Sequence, residues 1–167
     1  MNAAAILILA LVTLQRLSEL VIARRNTARL LAEGGREVGT GHYPFIVALH
    51  ASWLGGLWLL ARDVPPALPW LGLYLLLQIG RAWVLWTLGG RWTARIVVVP
   101  GERLVAAGPF RLYPHPNYAV VVGEIAVLPL VFGLWGFALL FSVLNALLLL
   151  VRVSAEAGAL TRVSRGS

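Results

Sequence analysis

Long apolar runs alternate with short polar breaks along this chain, and the runs set the element count. A spanning helix needs about 20 apolar residues to cross roughly 30 Å of hydrocarbon. Ala3 to Ala23 is the first stretch of that kind, and Arg24-Arg25 follows it where a cleavable signal would carry small residues. It therefore reads as a retained span. A second span is expected over Tyr43 to Ala61 and a third over Leu68 to Leu88, joined by the turn Arg62-Asp63-Val64-Pro65-Pro66. A fourth apolar run, Tyr118 to Phe132, is followed after Gly133-Leu134 by a fifth, Trp135 to Val153. So tight a connection predicts a helical hairpin, its two helices antiparallel and packed, with Pro129 placed to kink the first of them. The pattern predicts an all-α integral membrane protein of about five transmembrane helices. It is read as a single domain over residues 1–167: three N-terminal spans in 1–90, a loop and helical hairpin in 91–160, and a short soluble tail from Ser154.

The polar breaks carry their own signals. Asn26 to His42 predicts a loop holding a short amphipathic helix through Leu30-Leu31, ended by Gly34-Gly35. Gly89-Gly90 opens the longest polar segment, Arg91 to Pro116. Within it Arg95 to Pro100 is β-branched and too short to span, so it reads as extended. The segment closes on Gly108 to Tyr118, where Pro109, Pro114 and Pro116 rule out regular helix, because each proline fixes φ and removes a backbone donor.

Some polar residues fall inside the spans. Gln15, Arg16 and Glu19 are too costly to face lipid. One reading has them snorkelling near the cytoplasmic end, with Arg16 and Glu19 paired at helical spacing; the other has them lining a polar cavity. Gln78 and Arg81 lie one turn apart on one face of the third span. An arginine at that depth needs a partner, and Glu19 or a ligand's charge are the candidates. His50, alone in the second span, reads either as a packing residue or as a functional one.

Composition sharpens this picture. The chain is 59% hydrophobic and only 13% charged, where a soluble domain would carry about 25% charged residues. The net charge of +7 comes from fourteen arginines and no lysine. These cluster in the short breaks, the pattern of cytoplasmic loops rather than of a nucleic-acid surface. The first loop carries Arg24, Arg25, Arg29 and Arg36, the third Arg91, Arg95, Arg103 and Arg111, and the tail Arg162 and Arg165. The opposite side shows only Arg62, beside Asp63. The counts predict an N-terminus outside, with loops one and three and the C-terminus in the cytoplasm. With no cysteine there is no disulfide, thiolate metal site, cysteine nucleophile or cysteine lipid anchor.

Candidate chemistry gathers on the cytoplasmic side. It consists of the proline-rich stretch, Glu124 about two turns into helix four, and Asn145, Arg152 and Glu156 on one face of helix five. Because helices four and five form a hairpin, His115 and Tyr118 are expected close to Arg152 and Glu156. That would make one pocket with a base, a phenol, a cation and a carboxylate. The plainer reading is a stiff loop beside a surface ion pair worth a few tenths of a kcal/mol. There is no Gly-rich nucleotide loop, no Gly-x-Ser-x-Gly elbow and no histidine pair at metal-ligand spacing, which argues against an ATPase, a hydrolase or a metal enzyme.

The run Gly108-Pro109-Phe110-Arg111, then His115-Pro116-Asn117-Tyr118, a two-helix hairpin, and Arg152 with Glu156 and Leu160 resembles the isoprenylcysteine carboxyl methyltransferase family. The specific part covers Arg95 to Leu160. The N-terminal half, with Leu14 to Asn26, Gly41 to Phe45 and His50, is similar to a bacterial branch that O-methylates alkylpyrones and alkylresorcinols of type III polyketide pathways. The resemblance implies a membrane enzyme that uses S-adenosylmethionine without a Rossmann domain. It implies cofactor contacts from Glu102, Arg103, Leu104, Val105 and Phe110, from His115, Pro116, Asn117 and Tyr118, and from Glu156. Arg152 takes the acceptor side. The partners implied are the membrane, here the bacterial inner (cytoplasmic) membrane, and a lipid-like small-molecule acceptor, with no nucleic acid and no metal. Two positions depart from the family pattern: Pro114 stands where arginine is usual, and Ala157 where a second glutamate is frequent. The alternative acceptor is a carboxylate on a prenylated or other amphipathic molecule. From a different class, the alternative is a non-catalytic membrane scaffold.

Overall fold

The structure is a computed structural model that describes residues 1–38, 40–101, 105–113 and 115–165, with side chains through residue 154. It contains five α-helices, α1 (Ala3–Ala32), α2 (Tyr43–Ala61), α3 (Leu68–Leu88), α4 (Pro116–Val131) and α5 (Trp135–Arg165). Two short strands, β1 (Arg36–Val38) and β2 (Ile96–Val98), complete it. Among the described residues, four of the helical segments are long and apolar enough to cross a membrane, and α4 is a shorter apolar helix of 16 residues. At 1.5 Å per residue α4 is about 24 Å long, short of the hydrocarbon thickness. The protein is an integral membrane protein.

The surface carries large apolar side chains that a water-soluble domain would bury, and a few charged groups lie inside a largely apolar core. Leu7, Leu11 and Leu14 on α1, Leu75, Leu76 and Ile79 on α3, and Leu139, Val143 and Leu147 on α5 are exposed. The buried set includes Glu19, Arg81, Glu124 and Asn145. Lipid tails satisfy leucine and cannot satisfy a charge, so polar groups turn inward and find one another. The helices approach closely where small residues allow it. A Cβ added at Gly123 of α4 would lie 2.8 Å from Leu77 Cδ2 of α3.

Pro129 sits in the last full turn of α4. It has no N–H for the carbonyl of Ile125 one turn below, and a freed carbonyl in an apolar interior needs a donor. The buried indole of Trp53 on α2 supplies it, with Nε1 donating to Ile125 O at 3.2 Å. A proline that could merely bend α4 thereby ties it to α2. Past it, Leu134 N donates to Pro129 O at 3.0 Å and closes the hairpin into α5.

Several boundaries differ from those the pattern predicts. α1 does not stop near Ala23. It continues through the arginines to Ala32, where Gly34 takes a φ of +91° that suits glycine. The extension has tertiary work that hydropathy cannot register. Asn26 Nδ2 donates to Gly89 O at 3.2 Å and Trp92 O at 2.8 Å, and Arg29 Nη2 to Gly90 O at 2.7 Å. These bonds satisfy carbonyls at the end of α3. The extended reading of Arg95 to Pro100 finds its partner in the first loop, since β1 and β2 pair antiparallel with Glu37 opposite Val97. α4 begins at Pro116 rather than Tyr118, because proline suits the first helical turn. The tail from Ser154 is helical as far as Arg165.

Candidate active site

The snorkelling reading of Arg16 and Glu19 fails. Both point into the bundle, where they join Arg81 of α3 and Glu124 of α4; Glu19, Arg81 and Glu124 are 6%, 5% and 1% exposed. Arg81 Nε donates to Glu19 Oε1 at 2.6 Å, its Nη2 donates to Glu19 Oε2, and its Nη1 donates to Glu124 Oε2 at 3.0 Å. Arg16 reaches Glu124 Oε2 at 2.8 Å and Glu19 Oε2 at 3.3 Å. Gln78 Nε2 donates to Glu124 Oε1 at 2.8 Å, and Gln15 Nε2 donates to Gln78 Oε1 at 2.8 Å. Two cations and two anions cancel, and each carboxylate accepts from more than one donor. A buried pair of this kind is tolerable only when its remaining lone pairs are filled. The partner expected for Arg81 is Glu19, and Glu124 is its second.

Arg16, Glu19 and Arg81 of this cluster line part of a partly open cavity of about 290 Å³ to which all five helices contribute. Its apolar sides come from Leu17, Val47, Leu54, Val121 and Leu148, with His50 of α2 and Asn145 of α5 among them. Towards the arginine-rich end it is lined by Tyr43, Trp92, Thr93, Asn117, Tyr118 and Arg152. Arg152 Nε donates to Tyr118 Oη at 3.0 Å, with its guanidinium 5.4 Å from the ring centre. The His115 ring is stacked on Tyr118, with ring centres 5.2 Å apart and planes at 15°. The hairpin thus brings His115, Tyr118 and Arg152 together as its geometry predicts.

The two-stranded ribbon stands beside this end of the cavity. Arg95 on it donates to both carboxylate oxygens of Glu37, at 3.0 and 2.9 Å, and lies 4.6 Å over the Tyr43 ring. The Glu37 carboxylate pushes the Arg95 guanidinium further above its ordinary range. Both groups border water, so the pair orients Tyr43 more than it stabilises the fold.

Not every expected residue reaches the cavity. Asn117, Tyr118 and Arg152 line it, and His115 joins through Tyr118. Pro116 is buried as the first residue of α4. Phe110 sits in the 3₁₀ turn Gly108–Arg111. Val105 lies in a separate, shallower groove with Arg29, Thr87 and Arg91. Glu102, Arg103, Leu104, Pro114 and the Glu156 side chain lie outside the described residues. Of the remaining lining, Thr13, Trp92 and Thr93 belong to no motif legible in the sequence. Tyr43 falls in the run Gly41 to Phe45, on which the resemblance to the bacterial branch rests. The polar trio of α1 was the available signal that a cavity continues into the N-terminal half.

Gly108 seats the proline-rich turn. Its φ is +54°, and a Cβ there would fall 2.5 Å from Thr87 Oγ1 and 3.2 Å from Trp83 Nε1 on α3. Gly108→Ala meets both left-handed strain and a clash. It is expected to lower stability by about 1–2 kcal/mol and to speed proteolysis between residues 92 and 115; an unchanged melting midpoint and cleavage pattern would overturn that placement.

Among the described residues no group of three or more metal-type side chains converges. The model of the isoprenylcysteine carboxyl methyltransferase family matches residues 70–162, just over half of the chain. A protein of Bacillus subtilis (strain 168), named only as the uncharacterized protein YpbQ, is 40% identical over 163 residues, spanning 95% of this chain and 97% of the relative. No solved structure matches the chain significantly.

Proposed function

This chain belongs to the isoprenylcysteine carboxyl methyltransferase family, and from that premise we propose that it is an S-adenosylmethionine-dependent O-methyltransferase acting on a lipid-like acceptor, an alkylpyrone or alkylresorcinol. The observation that carries the reading is the contact of Arg152 with Tyr118, backed by His115, at one end of a membrane-embedded cavity.

The residues present suit the cofactor. Among the described residues Asn117 Oδ1 and Trp92 Nε1 are buried without a hydrogen-bond partner, an acceptor and a donor of the kinds a polar cofactor pairs with. The aromatic faces of Tyr43, Trp92 and Tyr118 suit a cation. S-adenosylmethionine, when bound, supplies a methyl group on a sulfonium. His115, Asn117 and Tyr118 would hold it from the loop side, with Glu156 from α5. Arg152 would hold the acceptor oxygen as an anion, so that the chain has chiefly to align the reactants and exclude water. An enol or phenol acidic enough to ionise there needs no strong base. In this reading residues 91–160 are the catalytic core, the cavity opens to the cytoplasm, and the N-terminus lies outside. The family description favours a second acceptor, a carboxylate on a prenylated or amphipathic molecule, which Arg152 would grip equally well.

Calorimetry with S-adenosylhomocysteine tests the class, because a scaffold would show no binding. Radiolabelled cofactor incubated with lipid extracts identifies the acceptor. His115→Ala and Glu156→Ala are each expected to weaken S-adenosylhomocysteine affinity by about tenfold, the worth of one good polar contact, with the melting midpoint retained. Unchanged affinity in both variants would remove the site from this loop.

A further inference from the structure

The inner part of the cavity carries polar groups that the reading above leaves unused. Among the described residues Arg16 Nε on α1 and Asn145 Nδ2 on α5 are buried without a hydrogen-bond partner, although the other nitrogens of Arg16 are engaged by Glu19 and Glu124. Asn145 is only 3% exposed. An unfilled donor is costly in an apolar interior, and here two such donors belong to residues that line one cavity from different helices. A third group faces the same space. His50 Nδ1 lies 2.9 Å from Ile46 O, and a carbonyl can only accept, so that nitrogen carries the proton. Nε2 of the neutral ring is then a bare acceptor.

We propose that Arg16, His50 and Asn145 form a hydroxyl-reading subsite, in which His50 Nε2 accepts from a ring hydroxyl of the acceptor while Arg16 Nε and Asn145 Nδ2 donate to oxygen. The inference deepens the methyltransferase reading and rests on it. It names the acceptor class as a six-membered ring that carries, besides the oxygen held by Arg152, a second and uncharged oxygen function, rather than a carboxylate at that second position. Size and charge both favour that class. An apolar cavity of about 150 Å³ holds one benzene ring, so about 290 Å³ holds a substituted ring and the start of its chain. The two arginines and two glutamates beside the subsite are already mutually neutralised. A carboxylate placed there would be an uncompensated buried charge, whereas a hydroxyl adds none. Seven residues separate Asn145 from Arg152, a rise of about 10 Å. Helical side chains lean towards the N-terminus, so Arg152 reaches back towards Asn145 and one ring can be read from both ends.

The test uses the full chain in detergent, saturated with S-adenosylhomocysteine. Three probes are titrated: an alkylresorcinol with both hydroxyls free, its dimethyl ether, and an alkylbenzoic acid of the same chain length. The free diol is expected to bind at least about tenfold tighter than the other two, the discrimination of a site built to pair a hydroxyl. His50→Ala and Asn145→Ala should each narrow that gap to about twofold while S-adenosylhomocysteine affinity, which reports the folded cofactor site, stays put. Equal binding of the benzoic acid and the diol, or a full gap in both variants, overturns the subsite. Absence of S-adenosylhomocysteine binding in the unmodified protein instead overturns the methyltransferase reading, and the subsite with it.

Discussion

Arg81→Ala is expected to cost about 3–5 kcal/mol, the usual penalty for removing one partner of a buried, hydrogen-bonded ion cluster. The substitution deletes three hydrogen bonds at once and leaves Glu19 with Gln15 and Arg16 as its remaining partners. A carboxylate underfilled in an apolar interior has no water to turn to. The loss should appear as a large fall in the melting midpoint of the detergent-solubilised protein, or as failure to recover a monodisperse species. The double change Arg81→Met with Glu19→Gln removes one charge of each sign and should recover much of that loss, because replacing a buried pair is cheaper than breaking it. If Arg81→Ala melts like the parent, the cluster is not what holds α1, α3 and α4 together.

Arg152→Ala should act on the opposite property. In the proposed reading turnover falls about hundredfold or more, the cost of losing a preorganised donor to a developing or bound oxyanion. The acceptor KM rises with it. S-adenosylhomocysteine affinity should move by less than about threefold, since the changed side chain is assigned to the acceptor. Tyr118→Phe provides the control: it removes the hydroxyl that accepts from Arg152 Nε but keeps the ring that His115 stacks on. It should reproduce part of the turnover loss with cofactor affinity intact. Loss of cofactor affinity alone in Arg152→Ala would reverse the role given to this residue.

The two predictions divide the polar interior by task. Arg81 is engaged by carboxylates of its own chain at all three guanidinium nitrogens. Among the described residues Arg152 donates to the Tyr118 phenol at the cavity's loop end, and a guanidinium has five N–H groups in all. Arg16 lies between these cases, paired at two nitrogens and open at the third. Hydropathy ranks all three alike.

What the amino-acid order determined by itself was the membrane class, the positions of α2 and α3, the hairpin of α4 and α5, and hence the meeting of His115 and Tyr118 with Arg152. These follow from quantities local along the chain: the length of an apolar run, a turn too short to do anything but reverse, and helical spacing between side chains. The tertiary structure decided whatever depended on a partner distant in sequence. The arginine-bearing end of α1 is helical because Asn26 and Arg29 fill the carbonyls of Gly89, Gly90 and Trp92. The ribbon exists because β1 meets β2 across nearly sixty residues. Arg16 and Glu19 are buried because Arg81 and Glu124 are there to neutralise them. Hydrophobicity can say that a charge is costly in lipid, but only the packed bundle supplies the opposite charge, and with it the cavity that the N-terminal helices share with the hairpin.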